Sequence, residues 1–412
     1  MKNKVFITIG VFAVVIAIGV FVGINKTEWL IGFVSSIIAG ICVWLLYEPL
    51  SDLKSELSSK PYVAVLVSEG ATDFDVPFDV RVGFKEEWDK RDFFITKKNK
   101  KVRIEFKEDY LDQSKSSDII QELIEDKNCV LLIANANSTL THSNIDLLLK
   151  AKNKIPLIMP IATDNTIIKK TNAKKYKGVL RMLPDNLKQV ETIKQFISNV
   201  LKLENDYIAV FGDENNRSYS INMMENISSA LRKSKKYVFS ETLIGPSGYS
   251  LPSLNFLEKA SAIVYAGVTH HAMLLKDQLR LIQISDKVPF IMTDGCLGKS
   301  IYEQKHSEHT YVLSPINFEK ETKDTQKTVS YRTIGVDAYN LCAKILKKSK
   351  STRESIYKTI ENDRNSSDDN KTINIKSDSG KSYRFNAEGN NDGWGYSVYQ
   401  IKNNTLGDKI FE

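Results

Sequence analysis

The chain has 412 residues, of which 42% are hydrophobic and 26% are charged, a composition typical of globular proteins. It excludes a fully disordered, a collagen-like or a many-span membrane protein. The formal net charge is +7, and the basic residues are scattered along the chain with no zinc-ligand spacing and no aromatic RNA-binding motif. Nucleic acid is therefore not predicted as a partner.

Two uncharged segments lie near the N-terminus, at residues 5–24 and 29–47. Each is about long enough to cross the ~30 Å hydrocarbon core of a bilayer. Trp29, Trp44 and Tyr47 are residue types that favour the membrane interface. Because only residues 25–28 separate the segments, residues 1–50 are predicted to form a hairpin of two transmembrane helices. A signal peptide followed by one span is the alternative, although no convincing cleavage site is present.

Lysines around these segments predict their orientation. Lys2 and Lys4 precede the first segment, Lys54 and Lys60 follow the second, and the linker contains only Lys26. By the positive-inside rule, both ends of the hairpin and the region that follows are predicted to be cytoplasmic.

After a polar connector at residues 51–61, short apolar runs alternate with amphipathic helical runs. The predicted strands are 63–67, 102–106, 130–134, 157–159, 208–211, 237–242, 262–265 and 290–292. The predicted helices are 76–90, 116–124, 143–150, 186–201, 219–234, 251–260, 271–284 and 335–348. Polar residues 318–330 and 361–382 are predicted loops, and residues 383–401 a β-hairpin around a Gly/Asn turn. This alternation predicts an α/β protein with two sheets of buried, mostly parallel strands.

No residue pattern predicts an enzyme, a metal site or a cofactor. The segment TDGCLGKS at 293–300 lacks the first glycine that a phosphate-binding P-loop requires. His270 and His271 have no metal-ligand spacing around them and are predicted to be exposed to solvent. Of the four cysteines, Cys42 lies in an apolar segment; the odd number that remains predicts reduced thiols.

Several segments resemble the type I periplasmic binding proteins, above all the branched-chain amino-acid substrate-binding family, which is related to receptor ligand-binding regions. The resemblance is distributed from about residue 61 to residue 403. It is clearest in VRIEFKEDYLDQSKSSDIIQELIEDKNCVLLIANANST, IPLIMPIATDNT, GVLRMLPDN, YIAVFGDENNRSYSINMMENISSALRK, VPFIMTDGCL and YRFNAEGNN.

The resemblance implies two α/β lobes that are joined by three crossings and close on a ligand like a clamshell. Lobe 1 would comprise residues 62–180 and about 310–375, and lobe 2 residues 181–309 and about 383–412. In such sheets, ligands bind where strands end.

In the first lobe, the resemblance assigns Ser138 and Thr139 to the carboxylate of the ligand, and Ile161 and Thr163 to further backbone and hydroxyl contacts. Hydroxyl and N–H groups at a helix start suit an anion. The alternatives are that Ser138 or Thr139 only caps the helix, and that Ile161 and Thr163 only form a turn after Pro160.

In the second lobe, the resemblance assigns Asp294 to the ammonium group of the ligand and places Tyr219 near an aromatic position of the family. The alternatives are a solvated Asp-Gly turn and a surface tyrosine at a helix start. Glu69 and Phe74 are further candidates for lining the cleft. Val268 stands where relatives often have an aromatic residue.

The sequence therefore predicts a membrane-anchored binding protein for an amino acid or similar zwitterion, as an ABC-transporter substrate-binding protein or a receptor. The alternative is a cytoplasmic-facing ligand sensor or regulatory subunit that signals to a partner protein. The predicted partners are the small molecule, the lipid bilayer and either a transporter permease or a signalling protein. The family resemblance gives an extracytoplasmic domain as the alternative location.

Overall fold

The computed structural model describes residues 60–67, 75–91, 93–134, 137–203, 206–214, 217–234, 236–243, 257–284, 288–297, 309–316, 331–366, 373, 375–377, 382–402 and 405–412. The predicted spans 5–24 and 29–47 and the predicted loop 318–330 lie outside these residues. In the described residues, no helix is both long and apolar enough to cross a membrane. The chain divides into Met1–Lys60 and Pro61–Glu412, and the description below concerns the second unit.

The first lobe is built on a six-stranded sheet with the order β2-β3-β1-β4-β5-β6. Its strands are β1 (Tyr62–Leu66), β2 (Phe94–Ile95), β3 (Lys101–Lys107), β4 (Cys129–Ala134), β5 (Leu157–Met159) and β6 (Val179–Arg181). All neighbours are parallel except β2 and β3. Every residue of β1 and β4 is buried, because helices cover both faces of a central parallel strand.

Six helices of the described residues belong to this lobe. They are α1 (Asp75–Asp89), α2 (Gln113–Glu125), α3 (Ser138–Lys150), α4 (Asn165–Ala173), α8 (Arg332–Lys348) and α9 (Arg353–Arg364). The last two come from a later part of the chain and return to the first lobe, where α8 packs on α1 and α9 packs on β4.

The second lobe is built on a seven-stranded sheet with the order β15-β14-β11-β10-β9-β7-β8. Its strands are β7 (Tyr207–Asp213), β8 (Tyr237–Leu243), β9 (Ala260–Ala266), β10 (Phe290–Met292), β11 (Thr310–Ser314), β14 (Ser397–Lys402) and β15 (Thr405–Phe411). Its helices are α5 (Asn186–Gln195, extended by a π-helical turn at Phe196–Val200), α6 (Arg217–Lys233) and α7 (Thr269–Leu281). A small third pairing joins β12 (Ile375–Lys376) to β13 (Ser382–Tyr383).

The chain crosses between the two large sheets three times: from β6 to α5, from β11 to α8, and from β13 to β14. One continuous hydrophobic cluster runs from β1 through Met182 and Tyr331 in the crossings to β9. Two further clusters cover the other face of each sheet. The lobes therefore share a core at the crossings.

All eight predicted strands are confirmed, and seven of the eight predicted helices overlap an observed one. The eighth, predicted at 251–260, is mostly untested, because residues 251–256 lie outside the described residues; Leu257 is helical, and β9 begins at Ala260. The prediction of a loop from residue 361 is wrong at its start, because α9 continues to Arg364. The sequence analysis also missed β2, β6 and β11, which are too short or too polar to show a clear apolar run.

The hairpin predicted at 383–401 is wrong in its pairing. The Gly/Asn turn forms, with the N–H of Asn386 bonded to the carbonyl of Asn390 at 2.9 Å. However, its two flanks separate, and β14 pairs with β15 while β13 pairs with β12. Tertiary contacts therefore decide the partners of these strands.

One lobe boundary differs from the sequence analysis, which put the return to the first lobe at about residue 310. Strand β11 begins at Thr310 and lies in the second sheet, between β10 and β14. The second crossing therefore follows β11.

Cys129, Cys296 and Cys342 are buried free thiols, as predicted, whereas Cys42 lies outside the described residues.

Candidate functional site

A cleft that is open to solvent lies between the two lobes, at the carboxyl ends of their strands. Both lobes contribute to its walls, together with the start of α8. The described residues that line it are Val76, Asn137, Ser138, Ile161, Ala162, Thr163, Tyr219, Asp294, Gly295 and Tyr331.

Five of the six residues singled out in the sequence line this cleft: Ser138, Ile161, Thr163, Tyr219 and Asp294. The sixth, Thr139, is half-buried on α3 and is not among the described lining residues. Glu69 and Phe74 lie outside the described residues. Val268 is buried at the N-cap of α7 and does not appear in the lining either.

On the first-lobe wall, the start of α3 is capped by Asn137. Its side-chain oxygen accepts a hydrogen bond from the N–H of Leu140 at 2.9 Å. Neither Ser138 nor Thr139 is therefore the cap. The hydroxyl of Ser138 is buried, and within the described part of the chain it accepts one long hydrogen bond, 3.4 Å, from the N–H of Asp164. The wall thus combines a hydroxyl group with the partial positive charge of a helix N-terminus.

Behind the same wall lies Arg181, which is fully buried. Its guanidinium donates to the carbonyl of Thr163 at 3.1 Å and to that of Asp164 at 2.6 Å. Burial lowers the pKa of Arg181 to about 10, so that the side chain is still charged at neutral pH. Among the described residues it has no carboxylate within 4 Å. A buried positive charge therefore supports the loop that carries Thr163.

The second-lobe wall contains a buried carboxylate. Asp294 follows β10 in a 3₁₀ turn, and its Oδ1 accepts from the hydroxyl of Tyr219 at 2.7 Å and from the amide of Gln189 at 2.8 Å. The hydroxyl of Tyr396 lies 3.3 Å from Oδ2.

Burial raises the pKa of Asp294, and these hydrogen bonds oppose that rise. Burial, reinforced by the nearby Asp294 carboxylate, raises the pKa of Tyr219, so its hydroxyl remains a donor. No lysine, arginine or histidine of the described residues lies within 4 Å of the Asp294 carboxylate. The carboxylate is hydrogen-bonded but has no cationic partner there.

Asp294 is also where the three crossings meet. Gln189 lies just after the first crossing, Tyr331 ends the second, and Tyr396 ends the third. The hydroxyl of Tyr331 donates to the backbone carbonyl of Asp294 at 3.3 Å. The sequence analysis missed Arg181, Gln189, Tyr331 and Tyr396 as site residues. Of these four residues, Arg181 has a sequence signal that could have marked it, because it is a charged residue in an otherwise apolar strand of three residues.

Two other buried polar groups lie near the strand ends. Asp213 accepts from the hydroxyl of Tyr265 at 2.6 Å and contacts Nδ1 of His271 at 2.9 Å. His271 is therefore buried, contrary to the prediction, whereas His270 is exposed as predicted. Asp164 contacts Nε2 of His142 at 2.8 Å.

No cluster of three His, Cys, Asp or Glu side chains suitable for a metal occurs in the part of the chain that the structure describes.

No protein-family model matches the chain, and no curated protein matches its sequence. The fold, in contrast, matches many solved structures. The branched-chain amino-acid transporter substrate-binding protein of Streptococcus pneumoniae, in complex with isoleucine, has a TM-score of 0.67 at 16% identity. The match covers 86% of this chain and 99% of that one.

Two further structures give similar values. The leucine-binding protein of Thermotoga maritima has a TM-score of 0.67 at 14% identity, covering 85% of this chain and 97% of that one. A transporter solute-binding protein of R. palustris, in complex with benzoate, has a TM-score of 0.66 at 11% identity, covering 86% and 96%. The chain therefore has the type I periplasmic binding protein fold that the resemblance implied.

Proposed function

We propose that the protein binds a small zwitterion, an amino acid or a similar molecule, in the cleft between its lobes. The observation that carries this proposal is the pair of buried, oppositely charged groups on the two sides of the cleft. Arg181 supports the first-lobe wall, and Asp294 lies in the second-lobe wall. Neither has an oppositely charged side chain of the described residues within 4 Å, although Asp185 and Asp164 attract Arg181 at longer range. A ligand of complementary charge would relieve part of the cost of burying each charge.

The proposed pose follows from these charges. The anionic end of the ligand lies at the hydroxyls of Ser138 and Thr163, beside the N-terminus of α3. The ammonium group lies against Asp294 and the hydroxyl of Tyr219. Val76 and Ile161 supply apolar surface for the rest of the ligand.

Closure of the lobes would turn binding into a change of shape. Helix α3 of the first lobe contacts helix α6 of the second, so the cleft has walls that meet at its rim. A ligand that bridges Ser138 and Asp294 favours the closed arrangement, because it contacts both walls only there.

The solved structures of the same fold include transporter substrate-binding proteins. We propose delivery of the solute to a transporter as the main role, with residues 5–24 and 29–47 as the anchor in a bilayer.

The alternative role is ligand sensing on the cytoplasmic face of the membrane. The observations that favour it are the lysines of residues 1–60 and the three free thiols of the described residues. A reporter enzyme fused after Glu412 distinguishes the two roles, because transport delivery needs the lobes outside and cytoplasmic sensing needs them inside.

The test is a thermal-shift and calorimetric screen of the full chain, purified in mild detergent, against the amino acids and their deaminated carboxylic acids. Binding to the native state alone stabilises it by about 2.7 kcal/mol at 100 times Kd. We expect a subset of amino acids to raise the unfolding temperature and the deaminated acids to have no effect. If only the deaminated acids raised the unfolding temperature of the chain, the proposed role of Asp294 would be disproved.

The variant Asp294→Asn retains the shape of the side chain and removes its charge. We expect it to weaken amino-acid binding by roughly ten-fold or more, as loss of a charged hydrogen bond does. Asp337→Asn is the matched control: Asp337 is a buried aspartate bonded to the hydroxyl of Tyr383 and lies on α8, away from the cleft lining. Equal affinity losses in both variants would indicate a general effect on the fold and not a contact with the ligand.

A further inference from the structure

The edge of the first lobe opposite the cleft carries many basic side chains. In a parallel sheet all strands begin at one edge, so the segments that lead into them lie together. Three such segments, and the connection between α8 and α9, contain 14 lysines and arginines and no aspartate or glutamate: residues 97–101, 150–154, 174–177 and 347–353. We call these four segments the basic edge.

Contacts between the four segments show that the basic edge is one surface. The N–H of Lys97 bonds to the carbonyl of Ser349 at 2.9 Å. Arg353 donates to the carbonyl of Asn153 at 3.2 Å. The ammonium group of Lys154 lies 5.3 Å from the ring centre of Tyr176. Each segment is thus joined to the next across the bottom of the sheet.

Neighbouring acidic groups do not cancel this charge. The segments that lead into β1 and β4 add Lys60 and a balanced pair, Asp126 and Lys127. Three acidic residues of α9 lie near the basic edge: Glu361 is 3.6 Å from Lys177, Glu354 interacts with Lys350, and the buried Asp363 interacts with Lys348. They are far fewer than the 14 basic residues. The surface therefore remains strongly positive.

The second lobe provides an internal comparison. The segments that lead into its strands are 201–206, 233–236, 258–259, 285–289 and 303–309, and together they contain seven basic and six acidic residues. Helix C-termini lie at this edge in both lobes, and their negative ends favour lysine equally in each. The helix dipole therefore does not account for the charge of the first lobe alone.

We propose that the basic edge lies on the anionic headgroups of a lipid bilayer. The chain enters the first lobe at this edge, through Lys60 and β1. Only the 13 residues 48–60 separate it from the uncharged segment 29–47, and they reach at most about 45 Å. The inference rests on the proposed role of residues 29–47 as a bilayer anchor: basic side chains held this close to such an anchor bind acidic lipids, and the attraction is screened by salt. In this orientation the cleft lies on the side of the first lobe that faces away from the bilayer. That arrangement suits the sensing role, because delivery to a transporter in the same membrane would need the cleft to reach it.

The experiment uses the full chain in vesicles of phosphatidylcholine, with or without phosphatidylglycerol. A membrane-impermeant amine reagent modifies exposed lysines, and mass spectrometry gives the rate at each one. We expect the exposed lysines of the basic edge, such as Lys98 and Lys174, to react at least roughly three-fold more slowly in the anionic vesicles. High salt should restore their rates, whereas exposed lysines of the second lobe should react equally in both vesicles.

Charge reversal at the basic edge provides the variant, and charge reversal on the second lobe provides the matched control. The variant carries Lys98→Glu, Lys100→Glu, Lys152→Glu and Lys174→Glu. The control carries Lys188→Glu, Lys202→Glu, Lys233→Glu and Lys259→Glu. All eight lysines are exposed, so both proteins should fold, which circular dichroism verifies.

Only the edge variant should lose the slowing at its remaining edge lysines. Equal rates in the two vesicle types for the unmodified chain would overturn the proposal, as would failure of the chain to associate with anionic vesicles. Slowing that the edge variant retains would overturn it too. None of these readouts depends on the ligand proposed for the cleft.

Discussion

Two buried charged residues, Arg181 and Asp294, contribute to the candidate site and affect the stability of the protein. Arg181 and Asp294 are buried, and neither has an oppositely charged side chain of the described residues within 4 Å, which lowers stability unless polar groups compensate. Carbonyl oxygens compensate for Arg181, and donors from Gln189 and Tyr219 compensate for Asp294. The compensation is by neutral dipoles, so the charges remain available to the two ends of the proposed zwitterion.

Asp363 makes stability depend on pH. It lies near the end of α9, is buried, and accepts a hydrogen bond from the N–H of Ile373. Burial raises its pKa from 3.8 to about 6, although Lys348 and Lys344 oppose the shift. Since the folded pKa is the higher one, the protonated form favours the folded state. Its contribution is complete below about pH 4 and is lost as the pH rises through about 6.

The variant Asp363→Asn remains neutral at every pH and can still accept from Ile373. We therefore expect it to raise the unfolding temperature by a few degrees at pH 7.5 and to leave it unchanged at pH 4. Differential scanning calorimetry at the two pH values measures this. The same shift at both would show that the carboxylate is not the cause.

At the scale of elements, two helices are held together by glycines. Gly83 of α1 faces the backbone of Arg332, and Gly335 of α8 faces the backbone of Val80. A methyl group at Gly335 would also lie 2.7 Å from the backbone nitrogen of Phe84. Backbone atoms cannot move aside as a side chain can, so the two helices would have to separate.

We expect Gly335→Ala to lower the free energy of unfolding by about 1–3 kcal/mol, the usual cost of overpacking. Urea denaturation with an unchanged m-value measures it. Gly395→Ala is the control, because no atom lies within 4 Å of a methyl group there. It should change stability by less than about 0.5 kcal/mol. Equal effects at both positions would contradict the packing argument.

At the scale of the molecule, the hydrophobic cluster that passes through the crossings predicts cooperative unfolding of the two lobes. It contains residues of β1 and α8 in the first lobe and of β9 in the second. Loss of packing in one lobe therefore exposes apolar surface of the other.

We expect hydrogen exchange of the peptides Tyr62–Leu66 and Ala260–Ala266 to show the same urea midpoint. Gly335→Ala, although it changes only the first lobe, should lower both midpoints together. Two separate transitions would show that the lobes unfold independently.

The sequence by itself determined the central strands, most helices and five of the residues around the cleft. Runs such as those of β1 and β4 are apolar at every position, and that pattern depends on local composition alone. Ser138, Thr163 and Asp294 could be found because each directly follows or closely adjoins such a strand. In open α/β sheets ligands bind at the carboxyl ends of the strands, so residues that follow a predicted strand are candidates before the rest of the fold is known.

Only the tertiary structure decided which residues support that site and which charges form a surface. Gln189, Tyr331 and Tyr396 come from three separate crossings and meet at Asp294, and no local pattern marks them. The lysines of the basic edge are scattered in sequence, and the parallel sheet brings them together because all its strands begin at one edge. Local sequence encodes the elements, whereas contacts between distant residues depend on how the elements pack.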